Sequence, residues 1–230
     1  MTPGVISQAL LMVRANVDPY AAFVKALLHL NSDFSDSATP ATTWINGGSG
    51  AVITTALADV LTGGGSLSCQ SSNSDRIATG STVLDVGTGD FCVELWFRDD
   101  DVATNGTSLW LLQGVATSQT VRVYTSGVGF ITADVSAGGP AGLVAYSFDV
   151  WHHSAITRSG SNWTHWLDGV AVQTWTNGTF NTGTSSTNFW LGAASSANTS
   201  LMCLIDEFRI TVGVPRYTTA FTPTYPFPNP

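Results

Sequence analysis

Three of the four histidines of the chain lie within residues 151–175, which makes this stretch the first candidate for chemistry. His152, His153 and His165 have the side chain of a metal ligand or a general base. Adjacent residues of a β-strand point to opposite faces of the sheet, so His152 and His153 cannot hold one ion together. A metal site would require one of them to meet His165 across strands, with a carboxylate close by. The simpler interpretation, which we favour, is that all three are packed or hydrogen-bonded residues of a sheet.

The same stretch contains a hairpin signal at Asp168-Gly169. A two-residue turn needs positive φ at both central positions, which Gly adopts freely and Asp adopts more readily than most residues. Counting back from the turn, we expect Trp163 to face Thr174 on the partner strand. Alternation then leaves Trp166 and Trp175 together on the face that points away from the core. The predicted core face consists of Trp163, His165, Leu167, Val170 and Val172.

The charge of the chain limits its partners. Charged residues make up 10% of the chain, the formal net charge is -8, and Lys25 is the only lysine. With so few cations, neutralising the phosphates of a nucleic acid or binding an anionic membrane surface is not expected. The first residues have no basic stretch followed by a small-residue cleavage pattern, so no signal peptide is expected either. We therefore expect synthesis in a cytoplasm, with no nucleic-acid or membrane partner.

The three cysteines, Cys69, Cys92 and Cys203, lie in apolar strand-like runs without the paired spacing of a zinc site. An odd number in such runs predicts buried free thiols. One disulfide between neighbouring strands stays open as an alternative.

Most of the chain consists of short β-prone runs, such as "TVRVYT" and "GLVAYSF", separated by Gly, Ser, Asn and Thr clusters. This spacing indicates a sandwich or a barrel rather than alternating strands and helices. The final "TPTYPFPNP" cannot join a central strand, because its prolines lack amide donors. We expect it to form an extended tail on the surface.

Several blocks of the sequence, in order, resemble laminin-G-like domains, which are concanavalin A-like lectin jelly-roll domains. The blocks include "GTGDFCVELWFR", "WHHSAITRSGSNWTHWLDGVAVQT" and "LIDEFRITVGVPRYTTAFTPTYPFP". The Arg-Tyr…Phe-Thr-Pro ending is particularly similar to the variants in bacteriophage virion proteins. The resemblance covers residues 21–230 and implies an all-β fold, a two-sheet antiparallel jelly-roll sandwich. Residues 1–20 fall outside it, and we interpret them as a short N-terminal arm.

The resemblance implies a non-enzymatic structural protein of a phage virion, assembled in the host cytoplasm. It would decorate the capsid head as a cement protein or belong to the tail, for example to a tail fiber. The arm would anchor the domain to other capsid or tail proteins, and proteins of this kind commonly form a homotrimer. The predicted assembly residues of the arm are Ile6, Leu10, Leu11 and Val13.

The first alternative is a lectin-like adhesin domain that binds carbohydrate on the host surface. Aromatic faces stack on sugar rings, while polar side chains around them fix the hydroxyl groups. The candidate stacking residues are Trp110, Trp166, Trp175 and Trp190.

The resemblance also implies that a structural calcium ion could be bound, since calcium is the family's commonest ion. Its oxygen ligands could come from Asp206 in the last predicted strand and from Asp33 and Asp36 in the first turn. No other cofactor is expected.

A glycoside hydrolase is the remote alternative. Retaining hydrolases of this fold need two carboxylates about 5 Å apart. Glu94 and Glu207 are the only glutamates, and "CVELWFRDD" has Leu and Trp where the hydrolase pattern requires a second carboxylate. Asp206 and Glu207 are adjacent, so their side chains diverge across a sheet. We therefore expect no enzyme activity.

Overall fold

The structure is a computed structural model that describes residues 17–47, 50–56, 60–61, 64–69, 75–99, 108–114, 120–126, 129–135, 138–182, 187–192 and 203–230. These residues form two antiparallel sheets and two short 3-10 helices, Ala21–Phe23 and Thr82–Leu84. The predicted all-β jelly-roll sandwich is confirmed. Within the described ranges, no helix is long and apolar enough to cross a membrane.

The first sheet has eight strands. They are β1 (Val24–Leu28), β3 (Val52–Thr54), β4 (Ser66–Ser68), β6 (Phe91–Asp99), β11 (His152–Ser159), β12 (Asn162–Leu167), β13 (Val170–Thr176) and β15 (Cys203–Val212). Their order is β13-β12-β11-β6-β15-β4-β3, and β1 pairs with the second half of β15 while β4 pairs with its first half.

The second sheet has seven strands. They are β2 (Ile45–Asn46), β5 (Ile77–Ser81), β7 (Ser108–Gln113), β8 (Thr120–Thr125), β9 (Phe130–Val135), β10 (Val144–Ala145) and β14 (Thr187–Leu191). Their order is β10-β9-β8-β7-β14-β5-β2. The side chains of β8 alternate strictly between half-buried and buried, because one face of the strand lies on the core and the other does not.

The core lies between the two sheets and is rich in aromatic rings. Trp110 stacks on Phe189 at 5.7 Å between ring centroids, and Phe91 meets Trp163 edge to face at 5.2 Å. Cys69, Cys92 and Cys203 are buried thiols that form no disulfide, which confirms the prediction from their sequence context. Burial raises the pKa of the Cys69 thiol far above its usual range, so that thiol is unreactive at neutral pH.

Strand β6 is buried on both faces, which explains its nearly continuous apolar sequence. Phe97 and its inward neighbours face the core, while Trp96 faces away from it. Residues 213–230, here called the C-terminal strap, cover this outer face of the first sheet. The strap adds no strand, as its prolines predicted. The tail lies extended on the surface, with one anchored residue: Phe227 is only 2% exposed and packs against Leu27 and Trp96.

Candidate functional site

The hairpin of β12 and β13 forms at the predicted place. Asp168 and Gly169 both have positive φ, 50° and 78°, as a tight two-residue turn between twisted strands requires. Gly169 has a second constraint, since a Cβ there would lie 1.8 Å from the carbonyl oxygen of Phe221. The Phe221 amide donates to the Gly169 carbonyl at 3.0 Å. The turn is therefore also the docking point of the C-terminal strap.

The predicted register of the hairpin is wrong beyond its first two pairs. The pairing shifts after Trp166, so that His165 faces Gln173 and Trp163 faces Trp175. The extra residue, Val172, forms a bulge that rotates the rest of β13 by one position. Trp175 consequently stacks on Trp163 at 5.7 Å and packs against the core, so it does not share a face with Trp166. Val170, predicted to be in the core, is 58% exposed.

His152 and His153 separate onto opposite faces of β11, as alternation predicted. The Nδ1 atom of His152 contacts Asp168 at 2.6 Å, and its Nε2 contacts the carbonyl of Ser147 at 2.9 Å. Burial alone would lower the pKa of His152, but the hydrogen bond to Asp168, the charge of Asp168 and the bond to the Ser147 carbonyl together outweigh it and raise that pKa. Both ring nitrogens are occupied, so this imidazole holds the turn and is not placed to act as a base.

His165 lies inside the sandwich in a polar chain that links the two sheets. Its Nδ1 donates to Gln173 at 2.9 Å and its Nε2 accepts from Ser154 at 3.2 Å. Burial lowers the pKa of His165 to about 4, so the ring is neutral at pH 7. Gln173 continues the chain by accepting from the Ala133 amide at 3.1 Å and donating to Thr132 at 3.1 Å. Ser154 and His165 resemble a nucleophile and its base, but both are fully buried and no substrate reaches them.

The prediction that the histidines are packed or hydrogen-bonded sheet residues is confirmed for His152, His153 and His165. Within the described part of the chain, no three His, Cys, Asp or Glu side chains come close enough to hold a metal ion.

Five buried residues and the half-buried Tyr217 form an ion cluster on the outer face of β6, where the strap covers it. Arg209 contacts Glu94 at 2.8 Å and Asp18 at 3.3 Å, and Arg216 pairs with Asp18. The hydroxyl of Tyr217 donates to Glu94 at 2.7 Å, and His153 contacts the same carboxylate at 3.1 Å. Asp18 belongs to the stretch interpreted as an arm, so the chain is already fixed to the domain at this residue.

The ion cluster is unsuited to hydrolysis. Burial alone would raise the pKa of Glu94, but Arg209, His153 and Arg216 outweigh it and hold that pKa well below its usual range. A general acid needs the opposite shift. Glu94 is also fully buried, with no surface for a glycosidic oxygen to approach. The carboxylate therefore acts as a structural counter-charge.

The end of the strap is held by a second, smaller contact. Glu207 has φ 50° where β15 bulges, and its carboxylate accepts from the Phe227 amide at 2.8 Å. His29 contacts Glu207 at 2.9 Å and Asn229 at 2.9 Å. The hydrogen bond to Glu207 raises the pKa of His29. The positive φ of Glu207 thus places its carboxylate where it holds the end of the strap.

The aspartates proposed for calcium lie in two different settings. Asp36 accepts from the amides of Leu27, Ala38 and Thr42, each at 2.9 Å, so both its oxygens organise the turn after β1. Asp33 accepts from the Ser35 amide. Asp206 is buried in β15 and accepts from Ser66. These contacts account for the aspartates as structural residues, and calcium binding by them stays a prediction.

The four candidate tryptophans differ in their exposure. Trp110 is fully buried, and Trp166 is 4% exposed beneath Phe221, so neither ring offers a face to a ligand. Trp175 lies on the core side of β13, as described above. Trp190 is half-buried, and because Phe189 and Leu191 point into the core, it points outward from the second sheet. The arm residues Ile6, Leu10, Leu11 and Val13 lie outside the described residues.

Trp190 belongs to a row of side chains that crosses the outer face of the second sheet. It lies opposite Leu111 on β7, Leu111 lies opposite Arg122 on β8, and Arg122 lies opposite Asp134 on β9. Arg122 and Asp134 form an ion pair at 2.9 Å, and the guanidinium also lies 4.7 Å from the ring centroid of Tyr124. Neighbours in such a row are about 5 Å apart.

A second, polar row runs beside the first. Asn188 is exposed and lies opposite Gln113, which lies opposite Thr120. Two residues along a strand separate the rows, which corresponds to about 7 Å. We call the residues of both rows the platform: Asn188, Trp190, Leu111, Gln113, Thr120, Arg122 and Asp134.

Sequence reasoning found only Trp190 among these residues. The alternation in "TVRVYT" was available as a signal that Arg122 and Tyr124 point to the same side as each other. Their neighbours were not, because the order of β9, β8, β7 and β14 depends on pairing between segments far apart in sequence.

The fold and the exposed face together define a jelly-roll sandwich with one covered sheet and one sheet that presents aromatic and polar side chains. Residues 71–214 match the family described as the concanavalin A-like lectin/glucanases superfamily. The match covers more than half of the chain, and the chain therefore belongs to this family.

Among solved structures, the chain is similar to receptor-binding domains of botulinum neurotoxins. The serotype G binding domain has a TM-score of 0.65 at 16% identity, and the serotype D binding domain has 0.66 at 13% identity. A structure of type C, whose cell entry depends on interaction with two ganglioside molecules, has 0.61 at 12% identity. The match covers 84% to 86% of this chain but only 48% to 49% of those chains, so the chain spans about half their length. These likenesses show the fold alone, and no curated protein sequence matches the chain.

Proposed function

We propose that the protein is a non-enzymatic, lectin-like domain that binds glycans on the platform of the second sheet. The observation that carries the proposal is the pairing of an outward Trp190 with a parallel row of amide and hydroxyl side chains. A sugar ring presents an apolar face and a rim of hydroxyl groups, and such a ligand needs both kinds of surface side by side.

The two rows offer different contacts to a sugar. The indole of Trp190 offers a flat apolar surface, and Leu111 next to it excludes water. Asn188 and Gln113 can each donate and accept hydrogen bonds, which suits hydroxyl groups. A spacing of about 7 Å between the rows lets one monosaccharide lie on the ring while its hydroxyls reach the amides.

The proposal includes that the protein has no enzyme activity. The superfamily includes glucanases as well as lectins, whereas the similar solved structures are receptor-binding domains. In support of binding alone, Glu94 is buried and ionised beneath the strap. The platform has a single described carboxylate, Asp134, and retaining hydrolysis requires two.

A glycan array tests this function. Trp190→Ala should reduce binding by about fivefold or more, since truncating a central aromatic contact typically costs over 1 kcal/mol. Tyr225→Ala is the matched control, because Tyr225 is a 52% exposed aromatic residue of the strap, over the first sheet. It should bind as the unchanged protein does. Equal loss in both variants, or no signal from the unchanged protein, would contradict the proposal.

A role in a phage virion is the second candidate. It rests on the resemblance of the closing segment to virion proteins, and the burial of Asp18 favours it, because a rigid base is what an attachment arm needs. In this setting the platform would face outward toward host glycans, and the assembly would be a trimer. Removing residues 1–16, which leaves Asp18 in place, should abolish incorporation into particles. Incorporation at the level of the full chain would contradict attachment through the arm.

A further inference from the structure

The charges on and around the platform determine which glycans it can accept. The chain has eight Lys and Arg residues, and seven of them lie in the described part. Arg209 and Arg216 are committed to the buried ion cluster, and Arg158 is 2% exposed and bonded to the carbonyls of Gly160 and Phe180. These three cations cannot meet a ligand.

The remaining described cations, apart from Arg122, lie outside the platform. Lys25 and Arg98 belong to the first sheet, where Arg98 pairs with Asp149 at 3.2 Å. Arg76 precedes β5, and its side chain passes over Gly47, with Nε 3.3 Å from where a Cβ of that glycine would be. Gly47 directly follows β2, on the opposite side of β5 from β14, so the Arg76 side chain is directed to the β2 side of β5, although its backbone lies two residues before Ala78, the residue opposite Trp190.

Arg122 is thus the one described cation within the platform, and it is already neutralised. Its Nε donates to Asp134 at 2.9 Å, and a second guanidinium nitrogen contacts the same oxygen at 2.9 Å. A ligand carboxylate or sulfate that approached Arg122 would meet the Asp134 carboxylate next to it. The protein as a whole, at a net charge of -8, also repels anions.

Given the proposed function, on which this inference rests, we propose that the platform selects uncharged glycans and rejects sialylated and sulfated ones, with Asp134 as the residue that sets this preference. Trp190 and the amide row recognise the apolar face and the hydroxyls of a neutral sugar. Asp134 neutralises the one positive charge among the residues of the platform, Arg122.

The test is an array that prints neutral oligosaccharides with terminal galactose, N-acetylglucosamine or mannose beside their sialylated and sulfated counterparts. The unchanged protein should bind neutral members and give signals about tenfold lower or less on the acidic counterparts. Asp134→Asn frees Arg122 and should raise the acidic-to-neutral ratio about three- to fivefold, the size expected for one exposed charge pair. Asp149→Asn removes the same charge from the Arg98 pair on the first sheet and should leave the ratio unchanged.

The outcomes separate the inference from the function on which it rests. Binding confined to acidic glycans would overturn the selectivity while leaving glycan binding intact. An equal shift in the ratio for Asp134→Asn and Asp149→Asn would overturn the role of Asp134, because net charge alone would then explain it. A blank array for the unchanged protein would overturn glycan binding itself, and the selectivity with it.

Discussion

His165 shows how the setting of a single residue decides its chemistry. In sequence it is a candidate ligand or base, but in the fold it donates to Gln173 and accepts from Ser154 in a closed polar chain. Burial keeps the ring neutral at pH 7, and the neutral ring links the two sheets. Protonation removes an acceptor from this link, so the stability of the fold depends on pH.

We expect His165 to make the fold sensitive to acid. Its pKa is about 4 in the fold and about 6.5 when exposed, so below pH 6.5 protons bind preferentially to the unfolded chain. Stability should therefore be unaffected above pH 6.5 and fall as the pH drops toward 4, by up to about 3 kcal/mol. Urea unfolding at pH 7.5 and pH 4.5 measures this loss. His165→Gln, which keeps hydrogen-bonding capacity but does not titrate, should lose distinctly less over the same range, and an identical loss would refute the assignment.

Residue roles were predictable where they follow from local geometry. The separation of His152 from His153 needed only the alternation of a strand. Their partners were not predictable, because Asp168 reaches His152 through the turn and Glu94 reaches His153 from another strand. Trp110 was predicted to stack on a sugar ring, but it lies in the core. An indole in an apolar run fits either place, and only the packing of the two sheets decides between them.

At the scale of elements, the Asp-Gly hairpin separates what local sequence specifies from what the fold imposes. The turn followed from its two residues. The bulge at Val172 did not. It turns Gln173 inward, where Gln173 bonds to Ala133 and Thr132 on β9, a contact that the local sequence does not reveal. The register shift that accompanies this contact brings Trp175 against the core.

The docking of the strap on this hairpin gives a prediction about Gly169. Gly169→Ala should be strongly destabilising, because the new Cβ collides with the Phe221 carbonyl and the backbone keeps a positive φ. Gly160→Ala is the matched control, since Gly160 has φ 60° with no atom within 4 Å of its Cβ position. The control should cost about 1 kcal/mol for backbone conformation alone. Thermal unfolding of both variants measures the difference. Equal losses of stability would mean that the strap moves away from the new Cβ without destabilising the fold.

At the scale of the whole molecule, the two sheets expose their outer faces differently. The first sheet is covered by the strap, whose Tyr217 and Phe221 stack at 3.5 Å over Ala155 and Trp166. The second sheet presents Trp190 and the Arg122–Asp134 pair. The sequence indicated a sandwich with an extended tail, but not which face the tail covers, because that contact joins the chain's last residues to strands in its middle.

The ion cluster sets where the domain begins, and this can be measured by truncation. The sequence placed the end of the arm near residue 20, whereas Asp18 is buried against Arg216 and Arg209. Burial would raise the pKa of Asp18, but the hydrogen bonds from Arg216 and the Tyr20 amide, with the charges of Arg216 and Arg209, together outweigh it and lower that pKa, so the carboxylate is a counter-charge at neutral pH. A chain lacking residues 1–18 should therefore be less stable than one lacking residues 1–16 by about 3 kcal/mol, the cost of leaving a buried charge without its partner. Asp18→Asn in the full chain should reproduce that loss in urea unfolding, and if it does not, Asp18 is dispensable and the domain begins after it.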